Sequence, residues 1–247
     1  MRQATALNDT TEIVHFTRHL ESMLAGRQFQ FPEVEDTIRG FIRSITPERF
    51  GIASFSGVRD YLTMWRLYGD NTKGLAIGFH SDGLKKVQKR TTKPHDIVLR
   101  AIQDVMLEPV RYEESPGRVM LEQCLGALPR KAKIDTKFEK VRWDLMRLAC
   151  SLKDTSYQQE QEIRLIKHFR DYYEGDDRLY EPGFLGEHYD RIDGYLVYKH
   201  DFFPNQVREV TLGCNCPLTE KDVHELLRER SFPSTVSVTR SRHRHRI

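Results

Sequence analysis

Apolar positions along the chain switch between two periods. Near the start, Ile13, Phe16, Leu20 and Leu24 recur every three or four residues, the spacing that lines up side chains on one helix face. Asn8 or Asp9 caps this helix, with Thr10 or Thr11 as further caps, and Gly26 ends it. A second helix is predicted from about Glu33 to Ser44, ahead of Pro47. "GIASFS" is then a short apolar run bounded by glycine, and reads as a strand. "VRDYLTMWRLYG" carries Val58, Tyr61, Leu62, Trp65 and Tyr68 at amphipathic-helix spacing. Gly69 closes it, "DNTKG" turns the chain, and "LAIGF" is a second strand.

The second half repeats this mixture. "VMLEPVRYEE" is a strand interrupted at Pro109, which places it at a sheet edge or a bulge. Residues 117–128 and 137–152 read as helices, the latter with Phe138, Val141, Leu145, Leu148 and Leu152 on one stripe. "EQEIRL" follows as a strand. Residues 171–194 are polar and glycine-containing, a loop or lid. "YLVYKHDF", "VREVTLG" and "STVSVTRS" are strand candidates, and "TEKDVHELLRER" is a helix opened by Thr219. No repeat or clear linker divides the chain. These elements predict a single α+β domain over residues 1–247, with a central mixed or antiparallel sheet and flanking helices.

Composition narrows the class. The chain has 247 residues, 38% hydrophobic and 30% charged, which suits a folded domain with a real core. No apolar run reaches the length of a membrane span, and no signal pattern opens the chain. The four cysteines are therefore expected as reduced thiols in a cytoplasm. Without Arg240, Arg242, Arg244 and Arg246, the formal charge of +3 becomes −1. The body is nearly neutral, so no general nucleic-acid surface is indicated. The basic tail is either a phosphate contact or a terminal strand with one basic face.

Most motif searches fail. No GxxxxGK[ST] or GxGxxG loop cradles phosphate, and "IASFSG" lacks the first glycine of a hydrolase elbow. Cys214 and Cys216 have no matching second pair, so no metal site is predicted from them. What remains is the alternation Glu160, Glu162, Arg164. In a strand these three share one face, with Ile163 and Leu165 toward the core. That face is either solvated or the wall of an active site.

Three motifs together resemble a large bacterial family known only as a domain of unknown function. They are Leu7-Asn8-Asp9 with Glu12; Ser54-Phe55-Ser56 with Asp60, Trp65, Tyr68, Gly69, Gly74, Ile77, Gly78 and Phe79; and Glu160, Glu162 and Arg164. Lys153 matches a lysine that often precedes the carboxylate pair. Such sequences usually carry a His-Tyr-Thr-like strand before the Asn-Asp motif. Here "HFT" lies downstream at 15–17, inside a predicted helix, so that strand is expected to be missing. The motif order also resembles ADP-ribosyltransferases, an analogy of architecture.

That second resemblance implies chemistry on NAD as substrate. Glu162 would stabilise the positive charge that builds on the ribose as nicotinamide leaves. Glu160 would orient a protein, nucleic-acid or water acceptor. Arg164 would keep a carboxylate ionised or bind phosphate. Ser54 or Ser56 would support the ribose or hold Glu162, unless both are ordinary strand residues. Trp65 and Tyr68 form a stacking wall or simply pack the core. Asn8 and Asp9 contact the cofactor or merely begin a helix, as Glu12 does. Two rival functions stay open: a divalent-metal hydrolase or nuclease using Asp9, Glu12, Glu160 and Glu162, and a non-catalytic binding protein.

Overall fold

The computed structural model describes residues 2–3, 10–25, 28, 32–45, 50–81, 84, 105–112, 118–126, 136–168, 189–192, 195–198 and 204–243. Along the chain run β1 (Arg2–Gln3), α1 (Thr10–Ala25), α2 (Pro32–Ser44), β2 (Phe50–Ser56), α3 (Leu62–Leu67), β3 (Leu75–Phe79), β4 (Val105–Pro109) and β5 (Arg111–Tyr112). Then follow α4 (Arg118–Gly126), α5 (Thr136–Ser151), β6 (Leu152–Lys153), β7 (Glu162–His168), β8 (Tyr189–Ile192), β9 (Tyr195–Tyr198), β10 (Val207–Leu212), α6 (Glu220–Glu229) and β11 (Ser237–Arg240). Short 3-10 turns span Thr155–Glu160 and Pro204–Gln206. The class is α+β, as the mixed periodicity predicts. No helix among the described residues is long and apolar enough to cross a membrane.

The chain divides into two compact units. The first comprises Met1–Phe55 with Lys93–Lys199, the second Ser56–Thr92 with His200–Ile247. In the first unit, six strands form one sheet in the order β4-β7-β2-β1-β9-β8. The pairings β1–β2, β1–β9, β4–β7 and β8–β9 are antiparallel. β1 lies ahead of the Asn-Asp motif and pairs with β2 and β9. The core is built from the stripes seen in the sequence. Ile13, Phe16, Leu20 and Leu24 of α1 and Leu145 and Leu148 of α5 are buried with Phe50 and Ile52 of β2. Pro109 closes β4, an edge strand, opposite Ile163. The edge spares the missing N–H of proline a sheet partner. Of the predicted lid at 171–194, residues 189–192 form β8 and the rest lies outside the described residues.

In the second unit β10 lies between β11, parallel to it, and β3, antiparallel to it. Val207, Val210 and Leu212 of β10 pack with Cys216, Val223 and Val236. A capping box between Thr219 and Asp222 starts α6, as the sequence predicts. The Asp222 carboxyl lies below its usual range because the Thr219 backbone and hydroxyl donate to it.

One sequence expectation needs correction in this unit. The amphipathic helix from Val58 is only Leu62–Leu67. Asp60 takes φ 49°, a left-handed conformation that stops any helix from passing through it. Trp65 is buried, whereas Tyr68, beyond the helix, is 67% exposed. The basic tail also has a structural job. Arg240 ends β11, and its guanidinium donates to the carbonyls of Gly213 (3.0 Å), Cys216 (3.1 Å) and Leu218 (2.6 Å). Three loop carbonyls thus depend on one side chain. Arg240→Ala is expected to destabilise the protein by ~2 kcal/mol, read as a lowered urea midpoint.

Candidate functional site

The candidate site sits in the first unit, where β6, β7 and the Thr155–Glu160 turn meet. Its charged residues are buried: Lys153 4%, Glu160 7%, Glu162 5% and Arg164 1% exposed. The alternating carboxylates are therefore not a solvated strand face. Nor do all three lie on one strand. Glu160 is the last residue of the 3-10 turn, Gln161 takes φ 44°, and β7 begins at Glu162. Asp154 caps the turn by accepting from Ser156 N–H at 2.8 Å. Only Glu162 and Arg164 retain the i, i+2 relation of a strand face. Leu165 and Ile166 are fully buried beyond them.

Opposite charges pair closely here. Arg164 grips Glu162 through two nitrogens, Nε to Oε1 at 2.8 Å and Nη2 to Oε2 at 3.2 Å. Its Nη1 donates to the Cys150 carbonyl at 2.9 Å, which ties the fork to the end of α5. Lys153 Nζ donates to Oε2 of both Glu160 and Glu162, each at 3.0 Å. The same ammonium lies 4.5 Å from the centre of the Tyr157 ring, a cation–π distance. The Glu162 backbone is fixed as well: its carbonyl accepts from Val110 N–H at 2.8 Å, and its N–H donates to the Tyr112 hydroxyl at 3.4 Å.

These contacts decide the charge state. Burial pushes the Glu162 carboxyl up, but hydrogen bonds and charge from Arg164, with bonds from Ser54 and Lys153, outweigh it, and the group lies below its usual range. Glu162 is thus a buried but ionised carboxylate. Burial moves the Tyr112 phenol up, so it stays protonated. Burial likewise pushes the Cys150 thiol up, leaving an inert thiol.

The predicted residues distribute as follows. Ser54, Glu160, Glu162 and Arg164 come together. Ser54 stands exposed on β2, the sheet neighbour of β7, and its hydroxyl bonds the Glu162 carboxylate. Ser56 closes its own turn, its Oγ accepting from Val58 N–H at 3.1 Å. Trp65 and Tyr68 belong to the second unit. The Trp65 indole donates to Asp60 Oδ1 at 2.7 Å, a packing role, and the exposed Tyr68 does not share its buried environment. Asn8 and Asp9 lie outside the described residues. Lys153, Tyr112 and Tyr157 complete the cluster. The lysine's place in the motif was the only signal for it, and the tyrosines gave none, since strand pairing and a 3-10 turn bring them there.

Lys153 also bears on metal chemistry. Its ammonium fills the position between Glu160 and Glu162 that a bridging cation would take. Among the described residues no group of three or more His, Cys, Asp or Glu is arranged to hold a metal. The Cys214 thiol donates to Thr72 Oγ1 at 3.3 Å.

Comparison with known proteins adds one finding. No curated protein and no solved structure gives a significant match to the chain. The stretch from Met64 to Leu165 contains Trp65 and Gly69 and reaches through Lys153, Glu160, Glu162 and Arg164, and these residues 64–165 match the family described as a protein of unknown function (DUF2971).

Proposed function

We propose that the chain is an NAD-consuming, ADP-ribosyltransferase-like enzyme of the cytoplasm, used as a bacterial defence or toxin effector. One observation carries this reading: Ser54 and Glu162 meet across neighbouring strands, with the serine exposed and the carboxylate ionised. Cleavage of the nicotinamide–ribose bond passes through a cationic, oxocarbenium-like ribose. An ionised carboxylate beside that carbon stabilises the charge, and a preorganised one needs no rearrangement as the charge develops. The Ser54 hydroxyl provides a hydrogen-bonding group at the exposed edge of the same site. On this reading Glu160 orients the acceptor, whether protein, nucleic acid or water.

The test is nicotinamide release from NAD by the purified chain and by Glu162→Gln. Loss of a preorganised charge predicts a fall of ~100-fold or more in the variant. No release by the wild type, or an unchanged rate in Glu162→Gln, would sink the reading.

A non-catalytic binding role is the second reading, favoured by a different observation. Both Glu162 oxygens already accept strong bonds from Arg164 and Lys153, which leaves little capacity for a ribose hydroxyl. On this reading the ion network only holds the end of the sheet together. Glu162→Gln would then lower stability without touching any NAD chemistry. The metal-hydrolase alternative would require a cation to displace Lys153. Magnesium-dependent, EDTA-sensitive cleavage of nucleic acid would support it.

A further inference from the structure

Backbone geometry alone does not bring Glu160 to Glu162. Glu160 ends a 3-10 turn, and the left-handed Gln161 breaks the alternation that would align residues two apart. Yet the Oε2 atoms of both share one donor, Lys153 Nζ, at 3.0 Å each. The two oxygens are therefore at most twice that distance apart. Lys153 is well anchored for this: it ends β6, which pairs in parallel with β5 through Tyr112↔Lys153. The ring of Tyr157 lies beside the ammonium.

We propose that Lys153 is a positioning residue, whose ammonium gathers the Glu160 and Glu162 carboxylates at one point and so makes a single two-carboxylate site from two backbone elements. The use of that site rests on the ADP-ribosyl reading; its assembly does not. Two carboxylates this close disfavour each other's ionised forms unless a cation lies between them. Among the described residues, groups facing the pair include Lys153 from β6, Arg164 from β7, Ser54 from β2, Tyr112 from β5 and Tyr157 from the turn. Arg164 forks onto Glu162, so the cation shared with Glu160 is Lys153.

The experiment compares wild type, Lys153→Met and the double variant Lys153→Met/Glu160→Gln by urea unfolding between about pH 5 and pH 8. Without the ammonium, the native pair holds a proton at a raised value. Lys153→Met should then become less stable as pH rises through that value, opposite to the wild-type trend for a depressed carboxylate. Removing one charge with Glu160→Gln should restore stability at pH 7 by at least ~10-fold in the folding equilibrium constant. A loss in Lys153→Met that is the same at every pH, or a double variant no more stable than the single (including both unfolded), overturns the proposal. Rescue without nicotinamide release by the wild type would leave Lys153 in this role and remove the ADP-ribosyl reading alone.

Discussion

Arg164→Ala is expected to destabilise the protein by ~3–5 kcal/mol, the range for breaking a buried ion pair by removing one partner. Arg164 is 1% exposed, and Glu162 beside it is 5% exposed. Among the described residues, truncation would leave Glu162 with Lys153 as its remaining cation, a donor already shared with Glu160. It would also strip the Cys150 carbonyl of its Nη1 donor. Arg164→Lys should recover only part of the loss, because one ammonium cannot replace a planar fork. The informative partner is Glu162→Leu/Arg164→Leu. It removes both charges, and Lys153 and Glu160 remain as a balanced pair. Replacing a whole buried pair by apolar groups is often neutral or stabilising. The double variant should therefore unfold at a higher urea concentration than Arg164→Ala, even though it lacks the carboxylate assigned to chemistry. Failure of Arg164→Ala to lower the midpoint would show that the fork contributes nothing to stability.

The same fork sets a pH dependence. Glu162 lies below its usual range when folded, so the unfolded chain binds its proton more readily. Its stabilisation is fully present above the unfolded carboxylate value of ~4.3, and fades as pH falls through the lower folded value. In Arg164→Ala this acid-side loss should begin at higher pH.

Periodicity made most of the fold legible because the apolar stripes are long. Ile13 to Leu24, and Leu145 with Leu148, are buried where their spacing puts them. The short "VRDYLTMWRLYG" segment misled, because a single left-handed residue, Asp60, outweighs a plausible stripe and is not visible in apolar spacing. The alternation Glu160, Glu162, Arg164 predicts one strand face, solvated or lining a site, and the structure instead divides it between a turn and a strand. Burial of four charged residues cannot be inferred from their polarity, and the left-handed Gln161 lies between the two glutamates. Ser54 beside Glu162 was legible only through the resemblance. Neighbouring strands β2 and β7 are distant in sequence, and nothing local announces their pairing. Lys153 was legible as a motif position but not as a bridge. Its two bonds depend on where a turn of six residues sets Glu160 down.

Gly213→Ala is expected to be among the most damaging single changes, by ~3 kcal/mol or more, because its added carbon has nowhere to go. A Cβ there would collide with the Thr72 carbonyl oxygen and stand 2.6 Å from its carbon. Both are backbone atoms, so no rotamer change relieves the clash. Thr72 itself cannot yield easily. It is fully buried and left-handed at φ 72°, a strained state for a β-branched residue. Its carbonyl accepts from Asn215 N–H at 3.1 Å, its Oγ1 accepts from Asn215 Nδ2 at 2.8 Å, and its N–H donates to the Trp65 carbonyl at 3.3 Å. The turn after α3 is thereby locked onto the loop after β10, and Gly213 is the point of closest approach. Gly40→Ala is the matched control: nothing lies within 4 Å of its added carbon, and it sits inside α2. That change should stabilise by ~1 kcal/mol through helix propensity. Thermal melts of the two variants should therefore move in opposite directions. If Gly213→Ala melted with the wild type, the loop after β10 would have room to move off Thr72, and the left-handed turn would not need that contact to persist.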